Sequence, residues 1–364
     1  MRAGLIGLPG SGKTSLFNAI TRSNVPTHAY DAHETRSVIA TVPVPDRRFD
    51  VAVRICNPKR RVPATLELVD GAARVEVHDR GQKFGADFFA GVRQMEALVL
   101  VLRGFETPAL GLPDGGLDAA RDAASVEQEL LLADLTVVEG RLERLAKART
   151  SRRQTGGDAE EAIIRSLHAH LEDLRPLRRV ELSPEEDQVA RMFGLVSAKP
   201  LIAVLNVNEA DLGKATPAME AAASYAADND VPLITLCAAL EAEIAQMAPD
   251  EEAEFLAAMG VAESARDALV RVAYEYMGLI SFLTVGADEV RAWTIRKGAT
   301  AIQAAEKVHT DLARTFIRAE VMDFADFERE GGWDAARAAG RMRLEGKDYV
   351  VTDGQIVHIR NSRG

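Results

Sequence analysis

The sequence predicts an α/β protein: a mostly parallel sheet, an antiparallel helical hairpin inserted into it, and a smaller mixed sheet at the C-terminal end. Three observations carry this. Short, near-continuous apolar runs alternate with helical stretches on either side of the middle of the chain, the pattern of strands buried on both faces. Between them stand two seams of aliphatic residues spaced three and four apart, as in helices packed against each other. After about residue 279 the pattern turns to short strands around one amphipathic helix. The predicted boundaries are 1–118 and 193–278 for the sheet domain, 119–192 for the hairpin and 279–364 for the last domain.

Taken in order, "RAGLIGL" reads as a buried strand and "KTSLFNAITR" as a helix. "ATLELVD" (64–70), "ALVLVLRGF" (97–105), "KPLIAVLNVN" (199–208) and "VPLITLCAA" (231–239) continue the strands. The first seam is Leu131, Leu135, Val138, Leu142 and Leu145; the second is Ile164, Leu167, Leu171 and Leu174, with "SRRQTGGD" as the turn. In the tail, "SFLTVG" and "EVRAWTI" predict paired strands, "TAIQAAEKVHTDLARTF" one helix and "IRAEVM" a strand. "KDYVVTDGQIVHI" predicts a hairpin turning at Asp353-Gly354, two residues that tolerate positive φ.

Composition narrows the function. No apolar run is long enough to cross a bilayer, and Met1 to Gly12 lacks a secretory pattern. Cys56 and Cys237 are the only cysteines, too few for a disulfide framework. A reducing cytoplasm, with no membrane partner, is expected. The net charge of −11 argues against tight, non-specific coating of DNA. Most of the acidic excess falls in 193–278, so a local basic patch elsewhere remains open to a ribosome or another structured RNA. One basic run, Arg141, Arg144, Lys147, Arg149, Arg152 and Arg153, lies toward the hairpin tip. It reads either as a solvated helix end or as an RNA contact. His168 and His170, two apart on a helix, face different sides and do not make a metal site. His309 reads as a packing or capping residue, and Cys237 as a small buried side chain.

The chemistry is carried by "GLPGSGKT". Gly7, Gly12, Lys13 and Thr14 satisfy G-x-x-x-x-G-K-[ST] between a strand and a helix, the phosphate loop of P-loop NTPases. Backbone amides from Gly10, Ser11, Gly12, Lys13, Thr14 and Ser15 would cradle phosphate oxygens at a helix N-terminus. Lys13 would meet the β and γ phosphates, and the Thr14 hydroxyl would bind Mg²⁺. The base would be read by Asn206-Val207-Asn208-Glu209. GTPases use Asn-Lys-x-Asp there; the missing lysine and the longer Glu209 side chain misplace a bidentate contact to guanine. ATP is therefore expected rather than GTP, with Asn206 and the Val207 backbone serving adenine.

These stretches, with "VPVPD" (42–46), "CAALEAEIAQM" (237–247), "DEVRAWTIRKGATAIQAAEKVHTD" (288–311) and "LEGKDYVVTDGQIVHIR" (344–360), resemble the YchF subfamily of Obg-like ATPases along essentially the whole chain. The resemblance implies a P-loop GTPase-type domain, a helical insertion and a C-terminal TGS domain with a β-grasp fold. It also implies an ATP-preferring hydrolase with an Asn-x-x-Glu base motif, associated with ribosomes and linked to translation and oxidative stress. Carried over, the phosphates lie on Gly10 to Ser15, Mg²⁺ lies on Thr14, and adenine meets Val207 flanked by Asn206 and Glu209. Asp70 orients Mg²⁺ through water.

The sequence departs from that family where the third phosphate is sensed. Ala73 stands in place of a glycine and Arg74 in place of an apolar residue. Glu34 aligns with the Mg²⁺-binding threonine, with Thr35 one place off; a one-residue shift would restore Thr35 as the ligand. Arg74 reads as a solvated loop residue or as a cation on the transition state. The expectation is a monomeric, slow, Mg²⁺-dependent ATPase near the ribosome, with Lys13 and Asp70 as its catalytic side chains. The alternative is a nucleotide-binding scaffold that docks RNA or protein through the hairpin and the TGS domain.

Overall fold

The computed structural model describes residues 1–23, 25, 38–70, 84–107, 111, 116–150, 158–261 and 263–362. Glu34, Thr35, Ala73, Arg74 and the hairpin turn, with Arg152 and Arg153, lie outside the described residues. In chain order the strands are β1 (Arg2–Ile6), β2 (Val38–Pro43), β3 (Arg60–Val62), β4 (Thr65–Asp70), β5 (Ala97–Gly104), β6 (Leu201–Val207), β7 (Leu233–Leu236), β8 (Leu279–Thr284), β9 (Glu289–Arg296), β10 (Phe316–Met322), β11 (Arg343–Glu345) and β12 (Ile356–Asn361). The α-helices are α1 (Lys13–Thr21), α2 (Arg47–Cys56), α3 (Ala86–Arg93), α4 (Ala119–Thr150), α5 (Asp158–Glu172), α6 (Pro184–Met192), α7 (Pro217–Asn229), α8 (Ala238–Ile244), α9 (Pro249–Ala258), α10 (Ala265–Tyr276), α11 (Ala301–Val308), α12 (Thr310–Arg314), α13 (Phe324–Glu330) and α14 (Trp333–Ala338). The chain packs into two compact units: 1–40 with 67–269, and 41–66 with 270–364.

The larger unit is built on a sheet in the order β2-β4-β1-β5-β6-β7. β1 pairs in parallel with β4 and β5, β5 with β6, and β6 with β7. β5 and β6 are buried at every position, which explains their unbroken apolar sequences. The chain lays strands on one side of β1 and then on the other. The carboxyl end of β1 therefore opens where the winding reverses, the usual ligand crevice of open α/β sheets.

The predicted seams form the hairpin. Leu131, Val138, Ile164, Leu167 and Leu171 are buried in one cluster, with Leu135 and Leu142 partly buried against it. Leu174 departs from the expectation. It follows α5 with φ 55° and is 62% exposed, because a left-handed residue that ends a helix turns off its seam.

The smaller unit holds a mixed sheet in the order β11-β10-β12-β8-β9-β3. Its edge strand β3 pairs in parallel with β9, so the segment between β2 and β4 packs with the C-terminal part of the chain. α2 begins at Asp46, whose carboxylate accepts from the Arg48 amide. Two expectations for the tail are corrected. The helix predicted over 300–316 breaks at His309, which is extended (φ −166°, ψ 136°) and caps α12 by accepting from the Asp311 amide at 3.1 Å. A local side-chain bond there outcompetes helix continuation. The hairpin at Asp353-Gly354 does not form. β12 pairs with β10 and β8 instead, and the turn is drawn onto β8. Asp353 Oδ1 accepts from the Ser281 amide at 2.9 Å, and the Gly354 amide donates to the Ser281 carbonyl at 2.7 Å. Arg48 then bridges Asp46 and Asp353 at 2.9 and 2.8 Å.

Candidate functional site: a phosphate loop beside a nucleotide-sized cleft

The loop from Gly7 to Gly12 joins the end of β1 to the start of α1. Two of its glycines are required by their surroundings. A Cβ on Gly7 (φ 145°) would stand 2.4 Å from the Val101 carbonyl oxygen on β5. A Cβ on Gly12 (φ 89°) would stand 2.2 Å from Asn206 Nδ2. The first three amides of α1 follow, and no side chain caps them. Such a helix start presents N–H donors and a partial positive charge outward.

Lys13 is folded back over this loop. Its ammonium donates to the carbonyls of Gly7 and Leu8 at 3.0 and 2.8 Å. Burial pulls its pKa down from 10.5 to about 8, and the nearby Asp70 carboxylate opposes that shift. Asp70, at the end of β4, is itself buried. Ser11 Oγ is a buried hydroxyl with no hydrogen-bond partner among the described residues. Thr14 and Ser15 sit in the first turn of α1, partly buried.

Asn206 occupies the end of β6 and works inside the protein. Its Nδ2 donates to the Ser11 carbonyl at 3.3 Å, and its Oδ1 accepts from the Ala238 amide at 3.0 Å. Both ends of the amide are used, so Asn206 ties the phosphate loop to the start of α8. Val207 is buried, and Glu209 is exposed on the turn that follows.

A cleft of about 790 Å³ begins at Gly12 and Ser15 and runs between the turn Val207–Glu209 and α8. It brings together the predicted Gly12, Ser15, Asn206, Val207 and Glu209. Lys13, Thr14 and Asp70 belong to the loop side; Thr35 lies outside the described residues. The sequence had not singled out Phe105, Asn18 or Arg22, which also line the cleft. Phe105 directly follows the buried strand β5, and Arg103 lies over its ring at 5.3 Å. Asn18 pairs through both ends of its amide with the Val25 backbone, at 2.9 and 2.7 Å. Arg22 caps α1 in a left-handed conformation (φ 54°) and meets Glu252 at 2.9 Å, which also binds Arg266 at 3.0 Å. Position after a strand end could have flagged Phe105; Arg22 carries no local signal, because its partners are distant in sequence. Cys237 is buried beside the cleft, and no group of three or more metal-ligating side chains occurs among the described residues.

Comparison with known proteins agrees with this geometry. A family model described as "50S ribosome-binding GTPase" matches residues 2–133, and the model YchF-GTPase_C, described as a protein of unknown function, matches residues 279–362. The chain is 35% identical over 364 residues to the "Ribosome-binding ATPase YchF" of Bacillus subtilis, covering 99% of both chains. It is 33% identical over 365 residues to the "Obg-like ATPase 1" of Oryza sativa subsp. japonica, covering 99% of this chain and 92% of that one. The solved Schizosaccharomyces pombe YchF GTPase superposes with a TM-score of 0.86 at 31% identity, over 99% of this chain and 97% of the other. With a parallel sheet, a phosphate loop and an inserted hairpin in one chain matched end to end by these relatives, the protein belongs to the YchF family.

Proposed function

We propose that this protein binds ATP and Mg²⁺ at the loop from Gly7 to Ser15, hydrolyses ATP slowly and acts in association with the ribosome. One observation carries the nucleotide reading: the Lys13 ammonium is parked on two carbonyls of its own loop, above an uncapped helix start. Phosphate oxygens would replace those carbonyls as partners, adding the charge attraction that carbonyls lack. The site fits such a group, because the glycines leave no Cβ in the way and Ser11 Oγ has a buried hydroxyl to spare.

In this reading amides from Gly10 to Ser15 orient the phosphates, and Lys13 holds the β and γ oxygens. Thr14, with Thr35, would hold Mg²⁺, and Asp70 would position it through water. The metal neutralises phosphate charge and polarises the terminal group when bound. No described side chain stands as a general base, and cleavage of this kind rests on positioning and electrostatics. Asn206 keeps the loop in register with α8, which leaves adenine to the Val207 backbone and Glu209. Preference for ATP follows from Val207 in place of lysine and from the longer acid at Glu209. The relatives named as ribosome-binding ATPases support the ribosome as partner. We also propose three working parts in a cytoplasmic monomer: a nucleotide domain (1–118, 193–278), a hairpin (119–192) and a C-terminal domain (279–364), with 41–66 and 270–278 packing with the last of these.

Calorimetric titration of ATP and GTP, with and without Mg²⁺, tests the reading, with turnover and ribosome co-sedimentation followed in parallel. ATP binding tightened by Mg²⁺, with slow phosphate release, is expected. A preference for GTP would overturn the base assignment. Tight ATP binding without turnover would select a scaffold, the outcome favoured by Ala73, Arg74 and Glu34.

A further inference from the structure

Two deeply buried acids outside the nucleotide site, Glu127 and Asp134, lie on α4 seven residues apart. That spacing puts them on one face, about 10 Å apart along the helix. Asp134 is fully buried and accepts from the amides of Val196 and Ser197 at 2.8 and 2.7 Å, just before β6. Glu127 accepts from the Arg178 guanidinium and from the Tyr225 hydroxyl on α7. The apolar residues of α4 divide at the same place. Ala119, Ala123, Val126 and Leu130 belong to the core of the parallel sheet. Leu131 and Val138 belong to the core shared with α5. At the root of the helix, Asp122 and Val126 line a cavity of about 100 Å³ together with Leu8, Pro9 and Ser11 of the phosphate loop.

An insertion joined by loose linkers would swivel at its base. Here one helix of 32 residues, about 48 Å long, passes without a break from one core into the other. Its two carboxylates are bonded at the crossing. Freeing either would leave a buried charge without partners, which is strongly unfavourable.

We propose that α4 is a rigid strut, welded to the nucleotide-binding unit by Glu127 and Asp134. The hairpin beyond Asp134 then keeps one orientation, and a push on its far end is delivered to the wall behind the phosphate loop instead of being absorbed at a hinge. This does not depend on which nucleotide binds.

The test uses the full chain without nucleotide, carrying spin labels on unnatural amino acids at Arg144 and Glu220, both exposed. Pulsed dipolar spectroscopy should give one narrow distance in the wild type. Combining Tyr225→Phe with Asp134→Asn should broaden it and speed amide exchange across 127–134 about tenfold. A broad or multiple distance in the wild type overturns the strut. A double variant as narrow and as protected as the wild type overturns the weld. Should that variant not fold, Tyr225→Phe alone, which removes one hydroxyl at constant shape, decides in its place: an unchanged distance and exchange rate count against the proposal.

Discussion

Lys13 should make ATP affinity depend on pH over a range where ATP itself no longer titrates. Without ligand its pKa is about 8 instead of 10.5, because burial disfavours the ammonium more than Asp70 favours it. Phosphate oxygens at the same nitrogen would raise the pKa again. Binding should then take up a proton wherever free Lys13 is neutral and bound Lys13 is charged, above pH 8. The sign follows: affinity is constant below about pH 7.5 and falls as pH rises, approaching tenfold per unit. Between pH 7 and 9.5 the loss should be about thirtyfold, or ~2 kcal/mol. Phosphate groups, with a second pKa of ~6, are about nine-tenths ionised at pH 7 and essentially fully ionised above pH 8, where the slope is read. Titration calorimetry in two buffers of different protonation enthalpy reads both the affinity and the proton uptake. Lys13→Met should bind weakly and with no such slope. A wild-type affinity flat from pH 7 to 9.5, with heats independent of buffer, would refute the argument. The same shift predicts that the free protein gains stability as pH rises from about 8 toward 10.5, since the unfolded chain binds more protons there.

Gly12→Ala should abolish or weaken ATP binding at least tenfold, through the 2.2 Å clash with Asn206 and a positive φ costing about 1 kcal/mol or more; polarisation of labelled ATP measures it. Asn206→Ala should lower affinity for ATP and GTP alike, leaving their ratio unchanged, because it strands the Ser11 carbonyl and Ala238 amide rather than a base contact. A changed ratio would return Asn206 to the base. Asp353→Ala should destabilise the smaller unit by about 1–3 kcal/mol, seen as an earlier calorimetric transition with ATP affinity retained. It removes the acceptor of the Ser281 amide and a partner of Arg48.

The parts of this structure legible in sequence are those governed by short-range periodicity and local chemistry. β5 and β6 could be read because burial on both faces forces continuous apolar residues. The α4–α5 seam could be read because packed helices repeat at three and four. The phosphate loop could be read because Gly7 and Gly12 admit no other residue. Elements decided by distant partners were not visible. Asp353-Gly354 looks like a hairpin turn until β8 offers the Ser281 backbone. Asn206 could be read as a polar strand end, but not its bonds to the Ser11 carbonyl and the Ala238 amide, 195 and 32 positions away. His309 lies inside an amphipathic pattern, and only its bond to the Asp311 amide shows the break. Arg22 gained its meaning from Glu252, 230 residues away.

The edge strand β3 bears on how the chain is made. Lys59 and Asp288, which meet beside the β3–β9 ladder at 2.8 Å, are 229 positions apart. Synthesis at about 5–20 residues per second separates their emergence by roughly 10–45 s. During that interval β3 and α2 have been translated, but β9, against which both pack, has not. The early segment must wait, exposed, until its partners emerge, and the smaller unit closes only after β9 and β12 have been made. An isolated fragment beginning at residue 279 would lack the strand that covers β9, leaving an open edge prone to self-association.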